Sequence, residues 1–232
     1  MILFIKHDKT EGPGTLGDFF AESSWQVKTV ELWNNEALPP ADDCEAIISL
    51  GGPMNVYETD KYPFLQKEEI LLKDAIRNEV PVLGICLGAQ LLAKVAGAKI
   101  VKAPAKEIGW YEVCLTEDGK ADTLFRGTKS PLSVFQWHQD SFDIPNSAAL
   151  LATSDICKNQ AFRFSRCAWG LQFHPEMTEN MLETWLSHTK EKIDKDNIML
   201  NYFKTKQVYD KQSGLMYLNF ATAIARQEKI KA

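Results

Sequence analysis

One stretch of this chain, Val82-Leu83-Gly84-Ile85-Cys86-Leu87-Gly88-Ala89-Gln90, constrains it more than any other. An apolar run ends at a cysteine with glycines two residues before and two after it, and a leucine- and alanine-rich segment follows at once. That order reads as a strand, a tight turn and a helix, the nucleophile-elbow pattern with sulfur in place of the hydroxyl of G-x-S-x-G. The turn needs small neighbours, because a side chain at Gly84 or Gly88 would crowd the adjacent backbone. The orphan N–H groups and the dipole of the helix start favour negative charge at the sulfur and on an oxyanion formed beside it. A buried cysteine acting as a small hydrophobe is the alternative, but it gives the glycines no purpose.

A nucleophile needs a base, and the histidines are His7, His138, His174 and His188. His174 ends the strand-like run Ala168-Trp169-Gly170-Leu171-Gln172-Phe173, with Pro175 and Glu176 after it. A residue before proline is pushed toward extended geometry. In an extended segment His174 and Glu176 project to the same side, so the carboxylate can orient the imidazole as a triad's third member does. The competing reading, a strand end followed by helix-entry chemistry, loses to the catalytic one once the glycine-flanked cysteine is counted.

Three segments together, Gly51-Gly52-Pro53-Met54, the Cys86 elbow and Phe173-His174-Pro175-Glu176, resemble the class I, triad-type glutamine amidotransferase domains. The chain is most similar to stand-alone members named after the amidotransferase domain of GMP synthase. It shares with them Glu11-Gly12-Pro13-Gly14, Ala105-Lys106-Glu107-Ile108-Gly109-Trp110 and the Trp137, His138 and Asp140 pattern. The gamma-glutamyl peptidases are also similar. The resemblance implies that Cys86 is the nucleophile, His174 the general base and acid, and Glu176 its orienting partner. It implies an oxyanion hole from the N–H groups of Gly52 and Leu87. Substrate contacts would come from Gln90 and Met54, and from Trp137, His138 and Asp140 on a substrate-facing loop. Many relatives have glycine where this chain has Gln139, which adds bulk and restricts the backbone there.

The expected fold is α/β: a three-layer, flavodoxin-like open sheet, mostly parallel, with helices on both faces and a short antiparallel edge. Strands are expected at Ile2–His7, Gln26–Leu32, Ala46–Leu50 and Val80–Ile85, and helices at Leu16–Ser23 and Phe64–Asn78; their alternation implies parallel crossovers. Shorter, antiparallel strands are expected around Lys99–Thr116 and Ser130–Ser165. After Glu176, helices are expected at Thr178–Thr189 and Leu215–Arg226, joined by a lysine-rich stretch. Residues 1–232 are read as one domain, with about 178–232 as a C-terminal helical segment that covers the sheet. In such a sheet ligands bind beyond the carboxyl ends of the strands, where Gly51-Gly52, Cys86 and His174 would converge.

Composition narrows the partners. A net charge of −5 and 45% hydrophobic residues describe a globular chain with no basic surplus for nucleic acid, and no stretch is long enough for a membrane span. The N-terminus lacks signal-peptide chemistry, and five cysteines without a pairing pattern suit a reducing compartment, so a cytoplasmic location is expected. Gly12-Pro13-Gly14-Thr15-Leu16-Gly17 matches G-x-G-x-x-G, but Asp8 to Glu11 separate it from the strand and Pro13 removes a donor, so no cofactor is expected. No metal site is expected, since His138 and His174 alone make a weak ligand set. The expected activity is hydrolysis of glutamine through a Cys86 thioester, with glutamine or a gamma-glutamyl compound as ligand and a separate synthetase subunit taking the ammonia. Gamma-glutamyl peptidase activity is the alternative, and a non-catalytic regulatory module is the third reading, disfavoured by the complete triad.

Overall fold

The computed structural model describes residues 1–231. In chain order the elements are β1 (Ile2–Lys6), α1 (Gly14–Ala21), β2 (Val27–Glu31), β3 (Ala46–Ser49), α2 (Phe64–Arg77), β4 (Val82–Ile85), α3 (Leu87–Val95) and β5 (Ile100–Leu115). They continue with α4 (Glu117–Ala121), β6 (Leu132–Phe142), β7 (Ala149–Thr153), β8 (Ala161–Phe164), β9 (Ala168–Leu171), α5 (Glu179–His188) and α6 (Lys195–Lys231). The strands form one nine-stranded sheet in the order β2-β1-β3-β4-β9-β8-β7-β5-β6. β2, β1, β3, β4 and β9 pair in parallel, and β9, β8, β7, β5 and β6 pair antiparallel.

Alternation along β1 shows why both faces need helices. Ile2 and Phe4 pack with Leu16 and Phe20 of α1 and with Phe220 and Ile224 of α6, whereas Leu3 and Ile5 pack with Leu65 and Leu72 of α2 and Leu91 of α3. A parallel strand buried on both sides reads as a continuous apolar run, and every residue from Ile2 to Ile5 is buried. The α/β sheet is the expected one. Its antiparallel portion is more extensive than a short edge: β5 runs 16 residues and pairs with most of β6, with a register shift between Lys102 and Glu107.

The C-terminal segment differs from expectation. The helix expected at Leu215–Arg226 begins twenty residues earlier, at Lys195, and runs without a break through the lysine-rich stretch and Gly214. Its inward stripe, Ile198, Tyr202, Tyr209, Gln212, Met216, Phe220 and Ile224, keeps helical spacing throughout. The first half packs with Trp110, Phe135 and Leu182, and the second half enters the core over β1 and β9. Tertiary packing of that stripe offsets the cost of roughly 1 kcal/mol for a mid-helix glycine.

Candidate functional site

Cys86 stands between β4 and α3 as the N-cap of α3, with φ 51° and ψ −104°. A non-glycine residue in that region is strained, and the structure around it is what holds it there. Cys86 N–H donates to Leu171 O at 2.8 Å, and Cys86 O accepts from Gln90 N–H at 3.0 Å. Close contact explains the glycines. A Cβ at Gly84 would come within 2.6 Å of the Gly88 carbonyl, and one at Gly88 would collide with Ser49 O. β4, α3 and β3 thus meet more closely than any side chain allows.

His174 follows β9, and its N–H donates to Phe135 O of β6 at 2.9 Å. Its ring packs edge-on to Trp185 of α5, with centroids 5.1 Å apart. Nδ1 lies 2.7 Å from Glu176 Oε1, so the two side chains project together as the extended reading requires. Both are almost fully buried. Burial opposes charge on the imidazole, but the Glu176 carboxylate and a hydrogen bond with Cys86 outweigh it and hold the His174 pKa well above the usual value.

The segment after His174 is held by α6. Tyr209 Oη donates to His174 O at 2.9 Å and accepts from Met177 N–H at 2.8 Å. Tyr217 Oη lies 2.6 Å from Pro175 O and 2.8 Å from Thr15 Oγ1. Thr15 N–H donates to Glu176 O at 3.0 Å, and a Cβ at Gly14 would collide with that same oxygen. Gly14 of the G-x-G-x-x-G match is therefore explained by a protein carbonyl seated at the start of α1, where a dinucleotide site would hold phosphate.

Cys86, Leu87, Gly52, Met54, Gln90, Trp137, His138, Asp140 and His174 all line one cavity of about 360 Å³. Residues 137–140 do so from within β6, correcting the expected loop: the strand continues through them because β5 supplies a partner as far as Phe142. Of these residues, His138 is largely occupied internally, with Nδ1 3.0 Å from Asp140 O and Nε2 2.9 Å from Glu107 Oε2. Gln90 Nε2 donates to Asp140 O at 3.1 Å and to Gln172 Oε1 at 3.3 Å. Asp140 Oδ1 takes Lys102 at 2.5 Å, while its Oδ2 has no partner among the described residues.

Sequence reasoning assigned no role to Glu11, Gln172, Trp185 or His7. Glu11 lines the cavity opposite His174: a Cβ at Gly51 would collide with Glu11 Oε2 and come within 2.9 Å of His174 Cε1. Desolvation pushes the Glu11 pKa up to about 7, with partial relief from His174 and His7. Its signal was the Glu11-Gly12-Pro13-Gly14 motif, which shows no chemistry until the fold brings it beside His174. Glu107, His138 and Cys157 place a carboxylate, an imidazole and a thiol within 4.8 Å of one another, so these residues could hold a metal ion. The Glu107–His138 hydrogen bond already uses the imidazole nitrogen such an ion would need.

Comparisons with known proteins bear on the family and the fold. The family model for class-I glutamine amidotransferases matches residues 20–189. The glutamine amidotransferase-like protein YfeJ of Salmonella typhimurium is 31% identical over 194 residues, covering 82% of this chain and 81% of that protein. One subunit of the glutamine-hydrolysing GMP synthase of Sulfolobus acidocaldarius is 32% identical, covering 71% of this chain and 85% of that one. Among solved structures, a glutamine amidotransferase from Thermotoga maritima superposes with a TM-score of 0.87 at 35% identity, covering 96% of this chain and 97% of that one.

Proposed function

The chain belongs to the class-I glutamine amidotransferase family, and from that premise we propose that it hydrolyses the side-chain amide of glutamine through a covalent thioester on Cys86. The observation that carries this is the meeting, in one cavity, of a strained Cys86 at a helix start with a His174 held 2.7 Å from Glu176. Cys86 sulfur attacks the amide carbon while the Gly52 and Leu87 N–H groups take the oxyanion. His174 gives its proton to the departing ammonia and then removes one from the water that attacks the thioester, returning free Cys86 and glutamate. Glu176 fixes the imidazole tautomer throughout. Gln90, Met54 and Asp140, which line the cavity, fit the role of substrate contacts.

A separate synthetase subunit that consumes ammonia is the partner this chemistry suits. The cavity favours a second reading: its lining continues to His188 and Glu191, giving room for a leaving group larger than ammonia. Gamma-glutamyl peptide cleavage would use the same thioester. Two measurements test the proposal. A diazoketone analogue of glutamine, followed by mass spectrometry, is expected to label Cys86 in preference to Cys44, whose thiol burial pushes up to about 11, and Cys157, also raised by burial. The pure protein assayed by kcat/KM is expected to favour glutamine over gamma-glutamyl peptides. Labelling that misses Cys86 would remove the nucleophile, and efficient peptide cleavage with negligible glutamine hydrolysis would move the assignment to the second reading.

A further inference from the structure

The Gly51–Gly52 peptide is gripped by side chains outside the triad. His7, just after β1, is buried, with Nδ1 2.9 Å from Gly51 O and Nε2 2.6 Å from Glu68 Oε2. A carbonyl and a carboxylate both only accept, so each ring nitrogen donates and His7 is an imidazolium. Burial opposes that charge, but Glu68, Gly51 O and the more distant Glu11 outweigh it and raise the His7 pKa. Glu68 Oε1 accepts from Ser49 Oγ at 2.5 Å, so one carboxylate on α2 ties together the ends of β1 and β3. On the other side Gly88 N–H donates to Leu50 O at 3.2 Å, fastening the same loop to α3.

The peptide plane turns this grip into function. Ser130–Pro131 is the cis bond recorded among the described residues, so the Gly51–Gly52 bond is trans and its C=O and N–H point in opposite directions. A donor fixed on Gly51 O therefore aims the Gly52 N–H away from His7. Gly52 lines the cavity with Cys86 and Leu87, and among the described residues its N–H donates to no protein acceptor. Glycine on both sides lets this peptide rotate at little steric cost, so its orientation has to be set from outside.

We infer that His7, held by Glu68 and Ser49, is a positioning residue that keeps the Gly51–Gly52 peptide turned with its N–H toward Cys86, so that the oxyanion hole exists before substrate arrives. The inference rests on the reading above, in which the Gly52 N–H is an oxyanion donor. Without the grip, the Gly51 carbonyl is free to rotate toward the hole and place partial negative charge where negative charge must develop. A hole formed in advance also means that this chain turns over substrate without a partner to align it.

Two substitutions divide the ring's two contacts. In His7→Asn the amide N–H stands where Nδ1 stood and keeps the grip on Gly51 O, but leaves Glu68 short of a donor. In His7→Gln the amide reaches Glu68 and abandons Gly51 O. His7→Gln is expected to fold well yet lose about 100-fold in kcat, the scale of one oxyanion donor, while His7→Asn is less stable but recovers at least ten-fold of that loss. Alkylation of Cys86 by iodoacetamide, a displacement at saturated carbon that needs no oxyanion hole, is expected to stay within about two-fold of the parent rate in His7→Gln. A purely structural role gives the reverse order, with activity following stability and alkylation falling alongside kcat, and that result overturns the inference. Crystals of His7→Gln decide the matter separately. A Gly51 carbonyl still in its original orientation refutes the grip, and so does a parent protein that is labelled at Cys86 by the diazoketone analogue yet turns over neither glutamine nor gamma-glutamyl p-nitroanilide. A parent left unlabelled at Cys86 instead refutes the proposed reaction. Should His7→Asn fail to fold, the kcat, alkylation and crystal readouts of His7→Gln stand alone.

Discussion

Tyr209→Phe removes a single oxygen, yet that oxygen joins two parts of the segment that carries His174. Its hydroxyl donates to His174 O and accepts from Met177 N–H, at 2.9 and 2.8 Å, and the ring is buried between Trp110 and the rest of the α5–α6 core. Phenylalanine fits the same space, so no packing is lost and the effect isolates the hydrogen bonds. Each buried group left without a partner costs about 1–3 kcal/mol, so the pair is expected to cost about 3 kcal/mol. Against a total stability of about 5–15 kcal/mol, the variant stays folded. Urea unfolding should show a lower midpoint with an unchanged slope, because the surface exposed on unfolding is the same. The hydroxyl stays protonated at any working pH, since burial holds the Tyr209 pKa well above its usual value, so the loss should not vary with pH. Activity should fall with stability, because His174 loses an anchor on its own carbonyl. Tyr217→Phe relaxes the adjacent Pro175, and the two losses should couple by more than about 0.5 kcal/mol, as contacts on one short segment do. A loss under about 1 kcal/mol together with unchanged kcat would show that α6 merely covers the sheet.

Cys86→Ala and His174→Ala are each expected to abolish turnover, while Glu176→Gln keeps measurable activity, because the orienting member of a triad costs less than its nucleophile or base; near-normal turnover in His174→Ala would transfer the base to another residue. Glu11 has a folded-state pKa of about 7, above its unfolded value, so its contribution to stability is full below about pH 4.5 and is lost as pH rises to about 7. Thermal unfolding of Glu11→Gln should therefore improve relative to the parent across that window, and a difference independent of pH would place Glu11 in solvent.

The candidate site was legible wherever its pattern is local. Cys86 with its glycines, and His174 with Glu176 two residues on, are short-range patterns, and the alternation of apolar runs gave the parallel strands to within a residue or two. What stayed hidden depends on distance in the chain. His7 and Glu68 meet across 61 residues, and neither carries a mark that says so. Glu11 gains its environment only when α1 and β9 bring their ends together. The early half of α6 was missed because its buried stripe includes tyrosine, glutamine and serine between lysines. The Tyr209 and Tyr217 hydroxyls are buried there for a reason that periodicity cannot express: they point at the carbonyls of His174 and Pro175. Residues 137–140 were placed in a loop on the family resemblance; their strand character comes from pairing with β5, distant in the chain.

The stretch matched by the family model, 20–189, contains Cys86, His174 and Glu176 and omits His7, Glu11, Tyr209 and Tyr217. The residues proposed to react thus lie inside the matched stretch, while side chains that hold the segments around them lie outside it, just after the first strand and on the last helix. A fragment cut at the matched boundaries, or a graft that carries only those residues into another protein, would bring Cys86 and His174 along and leave these supports behind.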